Sequence, residues 1–194
     1  MSINLLETVQ EHLGYPPLIK IDPNTQQVKE DDQTQGEDKF SQAAIPAILT
    51  GMYKFVQSDE GATRFLQSDN TFSWMNSIFA GHKEEAIESV SAYAQQSNEN
   101  LVAKMDEIAH EAGKQVKEHL PENATVHDVQ QFFRHQKNNI LLYLPAALNM
   151  GELLNDNTLD DNTHKMEGPI SSLMQSIGSA FSNTSKEDET VKES

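Results

Sequence analysis

The stretch FSQAAIPAILTGMYKFVQ, residues 40–57, carries the pattern on which the fold prediction depends. Apolar residues recur in it at three- and four-residue spacing: Phe40, Ala44, Ile48, Met52 and Phe55. Residues at this spacing share one face of an α-helix. The stretch therefore predicts a helix, with Pro46 either near its start or at a bend.

The same spacing continues on both sides of this stretch. The longest run extends from about Lys83 to Leu120, and an alternative is two helices separated at Ser97 and Asn98. Thr125 and Asp128 have the spacing of a capping box, which begins a helix. Strand patterns are nearly absent. We therefore predict an all-α protein, an irregular multi-helix bundle of about seven or eight helices.

The polar segments divide the predicted domain. We expect a single helical domain over residues 1–181, with an acidic mobile loop at 30–39 and an acidic loop at 155–165. Residues 182–194 contain one apolar residue, Val191, and are predicted to form a disordered acidic tail.

One short pattern occurs twice in the chain. Ile45–Leu49 and Leu144–Leu148 both have an apolar residue, then Pro-Ala, then any residue, then Leu. An internal duplication with pseudo-two-fold packing would produce this repeated motif. Chance similarity between two proline-bent buried helices would produce it as well.

Composition excludes several classes of function. The chain has 14 Lys and Arg against 30 Asp and Glu, a formal net charge of −16, which disfavours nucleic acid and anionic membranes as partners. It has no cysteine, so disulfides, thiolate nucleophiles and cysteine zinc sites are excluded. The sequence contains no run of 18 apolar residues, so it predicts no transmembrane helix. The first residues lack the pattern of a secretory signal, so we expect a cytoplasmic protein.

Histidines and carboxylates occur at spacings that bear on metal binding. Glu107 and His110 have the i, i+3 spacing of bundle metal ligands, but they lie on the side of the predicted helix away from its apolar stripe. His127 and His135 likewise project away from their helix's apolar side. An EF-hand reading from Asp156 to Glu167 has Asp161 where the turn requires glycine. We predict no metal ligands, no catalytic residues and no cofactor, and keep a carboxylate and histidine metal protein as an alternative.

Part of the chain resembles a known family. Leu5-Leu6-Glu7, the segment Ala44–Leu49 with Gly51, and Ser58–Ala62 resemble the YidB-like family of small helical bacterial proteins, over about residues 5–67. The resemblance implies a bacterial origin and an all-helical fold. That family has no assigned function, so it supplies no site residues.

These observations favour a non-enzymatic helical interaction or adaptor protein in the bacterial cytoplasm, with an unknown protein partner. A homodimer is compatible with either reading, because the long apolar stripe over residues 87–116 invites a symmetric partner, and the sequence does not decide it. The alternative is a binder of an apolar small molecule or lipid, with its site between helices 40–57 and 140–154. The candidate residues for a partner or apolar ligand face are Trp74, Tyr143, Ile170, Leu173, Met174, Ile177 and Phe181.

Overall fold

The computed structural model describes residues 3–21, 36–156 and 159, and all their regular secondary structure is helical. These residues belong to one compact unit, residues 1–160. The α-helices are α1 Leu5–His12, α2 Gly36–Phe55, α3 Asp59–Gln67, α4 Trp74–Ile78, α5 Lys83–Ala94, α6 Asn98–His119, α7 Val126–Leu141 and α8 Met150–Leu153. Short 3₁₀ turns occur at Ala80–His82 and Ala146–Leu148. The predicted all-α bundle is confirmed.

Helix α2 lies at the centre of the bundle. Every residue from Phe40 to Met52 is buried, and α1, α4, α5, α6 and α7 all pack against it. A helix can be surrounded in this way only when it is apolar on nearly all sides, as the sequence AAIPAIL shows. Pro46 lies inside the helix rather than near its start.

Helix α2 also begins earlier than predicted, at Gly36. Residues 36–39 were expected to belong to the acidic loop 30–39, and they are helical instead. Acidic residues such as Asp38 are favoured in a first helical turn, because they face the partial positive charge of the helix N-terminus. Residues 30–35 of the predicted loop lie outside the described residues.

The run from Lys83 to Leu120 forms two helices, α5 and α6, as the alternative prediction had it. The break comes at Gln95, whose φ of 55° places it in the left-handed region. The apolar stripe of both helices is buried within this chain: Ile87, Val90, Ala94, Leu101, Met105, Ile108, Ala112 and Val116. The stripe is therefore covered within this chain rather than open to a second copy, and a homodimer stays a prediction.

The repeated Pro-Ala pattern does not correspond to a repeated structure. Pro46 lies within a 20-residue helix, whereas Pro145 has an extended backbone with ψ of 129° and precedes a 3₁₀ turn. The two segments share a sequence pattern but not a conformation, which contradicts a duplication at this place. The predicted capping box is present, with the Thr125 N–H donating to Asp128 and the Asp128 N–H donating to Thr125.

Two buried glutamines attach the N-terminal segment to the bundle. The Gln42 side chain accepts from the Ile19 N–H at 2.7 Å and donates to the carbonyls of Ile19 and Tyr143, both at 3.0 Å. Gln136 accepts from the Leu5 N–H at 3.0 Å and donates to the Ile3 carbonyl at 2.8 Å. The Gln136 bonds fix the start of α1 against α7, and the Gln42 bonds fix Ile19 near the residues that follow α7.

The C-terminal predictions are only partly covered. In the predicted loop 155–165, Asp156 binds Lys54 at 2.9 Å and Leu159 is buried. The predicted helix at 169–181 and the tail at 182–194 lie outside the described residues. Within the described part of the chain, no helix is long and apolar enough to cross a membrane.

Candidate functional site

The sequence-predicted face residues divide into two groups. Trp74 and Tyr143 are both buried, with 2% and 9% of their surface exposed. The other five lie outside the described residues: Ile170, Leu173, Met174, Ile177 and Phe181. Their role as a partner or ligand face therefore stays a prediction.

Trp74 belongs to a chain of aromatic contacts. Its ring centroid lies 4.6 Å from that of Phe72 and 5.3 Å from that of Phe65. Phe65 in turn lies edge-on to Phe133 of α7 at 5.7 Å. These rings join α3, α4 and α7 into one apolar layer.

The segment proposed to line an apolar ligand site contributes to the core. Ile140, Leu144 and Leu148 belong to the same buried cluster as the residues of α2. The Tyr143 carbonyl is bound by Gln42, which fixes the backbone here. The alternative of a lipid or apolar ligand between these segments stays a prediction.

Metal-ligand side chains do not converge in the described part of the chain. There, no group of three or more His, Cys, Asp or Glu residues is close enough to hold one metal ion. Glu107 is exposed and His110 is half-buried.

One polar cluster joins α1 to α6. Glu111 Oε1 lies 2.9 Å from His12 Nδ1 and accepts from Gln115 Nε2 at 2.7 Å. Burial raises the pKa of Glu111, but the bonds from Gln115 and His12 outweigh it and hold that pKa below the ordinary value of 4.5. The cluster therefore contains a carboxylate that stays ionised in mild acid.

Helix α7 presents a continuous exposed face, here named the α7 stripe. Its members recur at three-, four- and eight-residue spacing: His127, Gln131, Arg134, His135, Asn138 and Leu142. All six are exposed, and at 1.5 Å per residue the stripe is about 22 Å long. A helix of about 15 residues in a partner protein would have the same length as the stripe.

The α7 stripe differs in charge from the rest of the chain. No acidic residue occurs from Val129 to Gly151, although Asp and Glu outnumber Lys and Arg by 30 to 14 overall. Among the described residues, no carboxylate lies within 4.0 Å of Arg134 or of the neighbouring Lys137. Within the described residues, the hydrogen bond of Arg134 is a 3.4 Å contact to the Gln130 side chain. Its charge is thus left for an external group.

The stripe ends in an exposed apolar pair. Ile19 and Leu142, with 44% and 41% of their surface exposed, are the exposed large apolar residues of the described part of the chain. The Ile21 N–H donates to the Leu142 carbonyl at 2.9 Å, which brings the two segments together. Lys20, between Ile19 and Ile21, is also exposed. This end therefore combines apolar contact area with a positive charge.

A cleft of about 310 Å³ lies along one side of α7. Tyr53 and Val56 of the α2 end, together with Phe133 and Arg134, contribute to its lining. The Lys137 ammonium lies 5.5 Å from the Tyr53 ring centroid, a cation–π distance. The cleft offers a place for an apolar side chain next to two cations.

The sequence patterns did not single out this stripe. In the sequence, the outward direction of His127 and His135 argues against a metal site but does not by itself indicate a binding surface. The signal that was present is the long acid-free segment in so acidic a chain. The stripe is distinguished by the absence of acidic residues from the segment that contains most of it.

Comparison with known proteins gives no relative: no family model, curated protein or solved structure matches this chain. The resemblance to the YidB-like family therefore stays a prediction.

Proposed function

We propose that this chain is a non-enzymatic helical interaction or adaptor protein, and that it binds an acidic amphipathic segment of a partner protein along the α7 stripe. The observation that carries the proposal is that Arg134 and Lys137 have no carboxylate within 4.0 Å among the described residues, although the chain is strongly acidic. A bacterial, cytoplasmic setting belongs to the proposal on the strength of composition and the family resemblance.

The chemistry of the stripe favours an acidic segment that also carries apolar side chains. Arg134 suits a carboxylate, because its planar guanidinium can form two parallel hydrogen bonds with one. Ile19 and Leu142 offer apolar area, which adds about 25 cal/mol per Å² buried. Amphipathic helices bind in this way, through apolar anchors and flanking charges.

The test uses a defined probe. A synthetic 16-residue amphipathic helix with Glu on one face and Leu on the other is titrated into ¹⁵N-labelled protein, and amide shifts are recorded. We expect the largest shifts at Gln131, Arg134, Asn138 and Leu142. The dissociation constant should rise severalfold between 10 and 150 mM NaCl, because the screening length falls from about 30 to about 8 Å.

A matched pair of variants identifies the surface. Arg134→Glu should weaken binding at least tenfold, whereas Lys83→Glu on α5, with the same change in net charge, should leave it unchanged. Equal binding of a probe with Lys in place of Glu, or equal weakening by both variants, would refute the proposal. So would tight binding of single-stranded RNA at the stripe with no binding of the acidic helix.

A further inference from the structure

A second group of basic residues lies in a cleft of about 410 Å³ beside Trp74. Trp74, Gly113 and Lys117 are its inner residues, and Asp69, Lys114 and Glu118 are its exposed outer residues. The volume is in the range of small-molecule sites. The cleft is separate from the α7 stripe.

The inner wall depends on a glycine. A Cβ atom at Gly113 would lie 2.7 Å from Trp74 Cζ2, closer than such atoms approach in proteins. Glycine within a helix costs about 1 kcal/mol relative to alanine. Its presence in the middle of α6 allows the indole ring to lie directly against the helix.

The Trp74 indole N–H has no hydrogen-bond acceptor among the described residues. Within the described residues, Asn4 Oδ1 is the fully buried side-chain polar atom that has no hydrogen-bond partner. The Trp74 nitrogen also has no partner but is not in that class, so it is in contact with solvent. An indole N–H on an otherwise buried ring ordinarily has a partner. Since Trp74 borders the cleft, a bound acceptor is a natural partner.

Lys117 provides a cation at the inner end. Its ammonium donates to the carbonyl and the hydroxyl of Ser68 and lies 5.9 Å from the Phe65 ring centroid, so its third hydrogen has no oxygen acceptor among the described residues. No carboxylate of the described residues lies within 4.0 Å of it. Desolvation lowers the pKa of Lys117, and the charge of Asp69 opposes this in part. A bound anion would complete its coordination.

The outer residues carry both signs of charge. Lys114 lies 3.6 Å from a Glu111 oxygen and 4.0 Å from a Glu118 oxygen, so its ion pairs are long. Asp69 Oδ1 accepts two hydrogen bonds from Thr71, one from the backbone N–H at 2.8 Å and one from the hydroxyl at 2.7 Å. These acids would repel a simple anion and would attract the cationic group of a ligand that has both charges.

We propose that this cleft binds a small zwitterion of the α-amino acid class. Its carboxylate would accept from Lys117 and from the Trp74 N–H, and its ammonium group would lie against Asp69 and Glu118. The proposal is independent of the α7 stripe.

The single tryptophan of the chain reports binding directly. Trp74 emission is titrated with three probes of similar shape: L-leucine, 4-methylpentanoate, which lacks the ammonium, and 3-methylbutylamine, which lacks the carboxylate. We expect a saturable change with L-leucine and at least tenfold weaker binding of the other two. The absence of a saturable change with L-leucine, or equal responses to all three, would overturn the proposal.

Two variants separate the roles of the charges. Lys117→Met should weaken L-leucine binding at least tenfold, Lys117→Arg should restore part of it, and Lys83→Met should have no effect. Asp69→Asn keeps an acceptor for Thr71, so it should weaken L-leucine while leaving 4-methylpentanoate unchanged or tighter. Circular dichroism and the Tm check that each variant is folded. If the folded Lys117→Met variant binds L-leucine normally, the assignment is wrong.

Discussion

The α7 stripe and the Trp74 cleft leave basic residues without close carboxylates in two different ways. At the stripe, Arg134 lies within a segment that contains no acid at all, from Val129 to Gly151. In the cleft, acids are near, but Lys117 is half-buried and bonded to Ser68 instead. The first arrangement suits a long partner that brings its own charges, and the second suits a small ligand with charges of both signs. Net charge alone therefore says little about where an acidic protein binds anions.

Phe65 connects these two regions. It lies 5.3 Å from Trp74 of the cleft and 5.7 Å from Phe133 of α7, measured between ring centroids. Both distances are in the range of favourable aromatic pairs. The stripe and the cleft thus have different charged residues, but the helices that carry them both pack on the Phe65 ring.

The largest expected effect is the loss of this support. Phe65→Ala should lower the free energy of unfolding by about 3–5 kcal/mol, because it leaves a cavity between three elements. Urea unfolding followed by circular dichroism measures the change. Leu66→Ala, at the half-buried next position, is the control and should cost less. A loss under 1 kcal/mol for Phe65→Ala would show that the two regions do not depend on it.

A smaller effect should come from Gly113→Ala, which acts on the cleft alone. Crowding against Trp74 costs about 1–3 kcal/mol, and the gain in helix propensity returns about 1 kcal/mol. We expect a net loss of stability together with a red-shifted Trp74 emission. Gly81→Ala, where the added Cβ meets nothing within 4 Å, should leave the Trp74 emission unchanged and should not lower the stability. Unchanged emission for Gly113→Ala would contradict the close packing of the ring.

Lowering the pH should reduce the stability that Glu111, which lies beside Lys114 of the cleft, gives to the fold. Folding lowers the pKa of Glu111, so its contribution to stability is complete above the unfolded-state pKa and is lost as the pH falls through the folded-state value. Glu111→Gln should therefore cost about 1 kcal/mol at pH 7, with the difference from the parent protein shrinking below pH 4.5. Thermal unfolding between pH 3 and pH 7 measures this, with exposed Glu107→Gln as control. A constant difference across that range would contradict it.

The smallest effect is expected at the stripe itself. Arg134 is exposed and has no ion pair within the described residues, so Arg134→Gln should change the free energy of unfolding by less than about 0.5 kcal/mol. The same urea experiment applies. A larger loss would mean that Arg134 has a structural role, and the stripe would then be part of the fold rather than a free surface.

Local features of the fold could be predicted from sequence. The helix over most of residues 40–57, the capping box at Thr125 and the break after α5 all depend on residues close together in the chain, and all three are present. The start of α2 was missed because acidic residues suit both a loop and a first helical turn. The matching Pro-Ala patterns misled because Pro46 is held in a helix by burial on all sides, a tertiary effect.

The two candidate sites depend on distant residues. Trp74 and Lys117 belong to different helices, and the packing of Trp74 on Gly113 places both beside one cleft. Ile19 becomes a neighbour of Leu142 through the hydrogen bonds of Gln42 and Ile21. No local pattern encodes these contacts, so the sequence analysis named Trp74 and Tyr143 as candidate face residues without the groups that surround them.

The central position of α2 has a consequence for synthesis on the ribosome. Its covering helices α5, α6 and α7 all follow it in the chain, and α7 ends at Leu141, roughly 85 residues after Phe55. At about 5–20 residues per second, the finished α2 waits roughly 4 to 17 seconds for its last cover. At the start of that interval none of α4, α5, α6 and α7 has been made, and the apolar helix becomes covered step by step as they follow. We expect the emerging polypeptide to bind a general chaperone at residues 40–52.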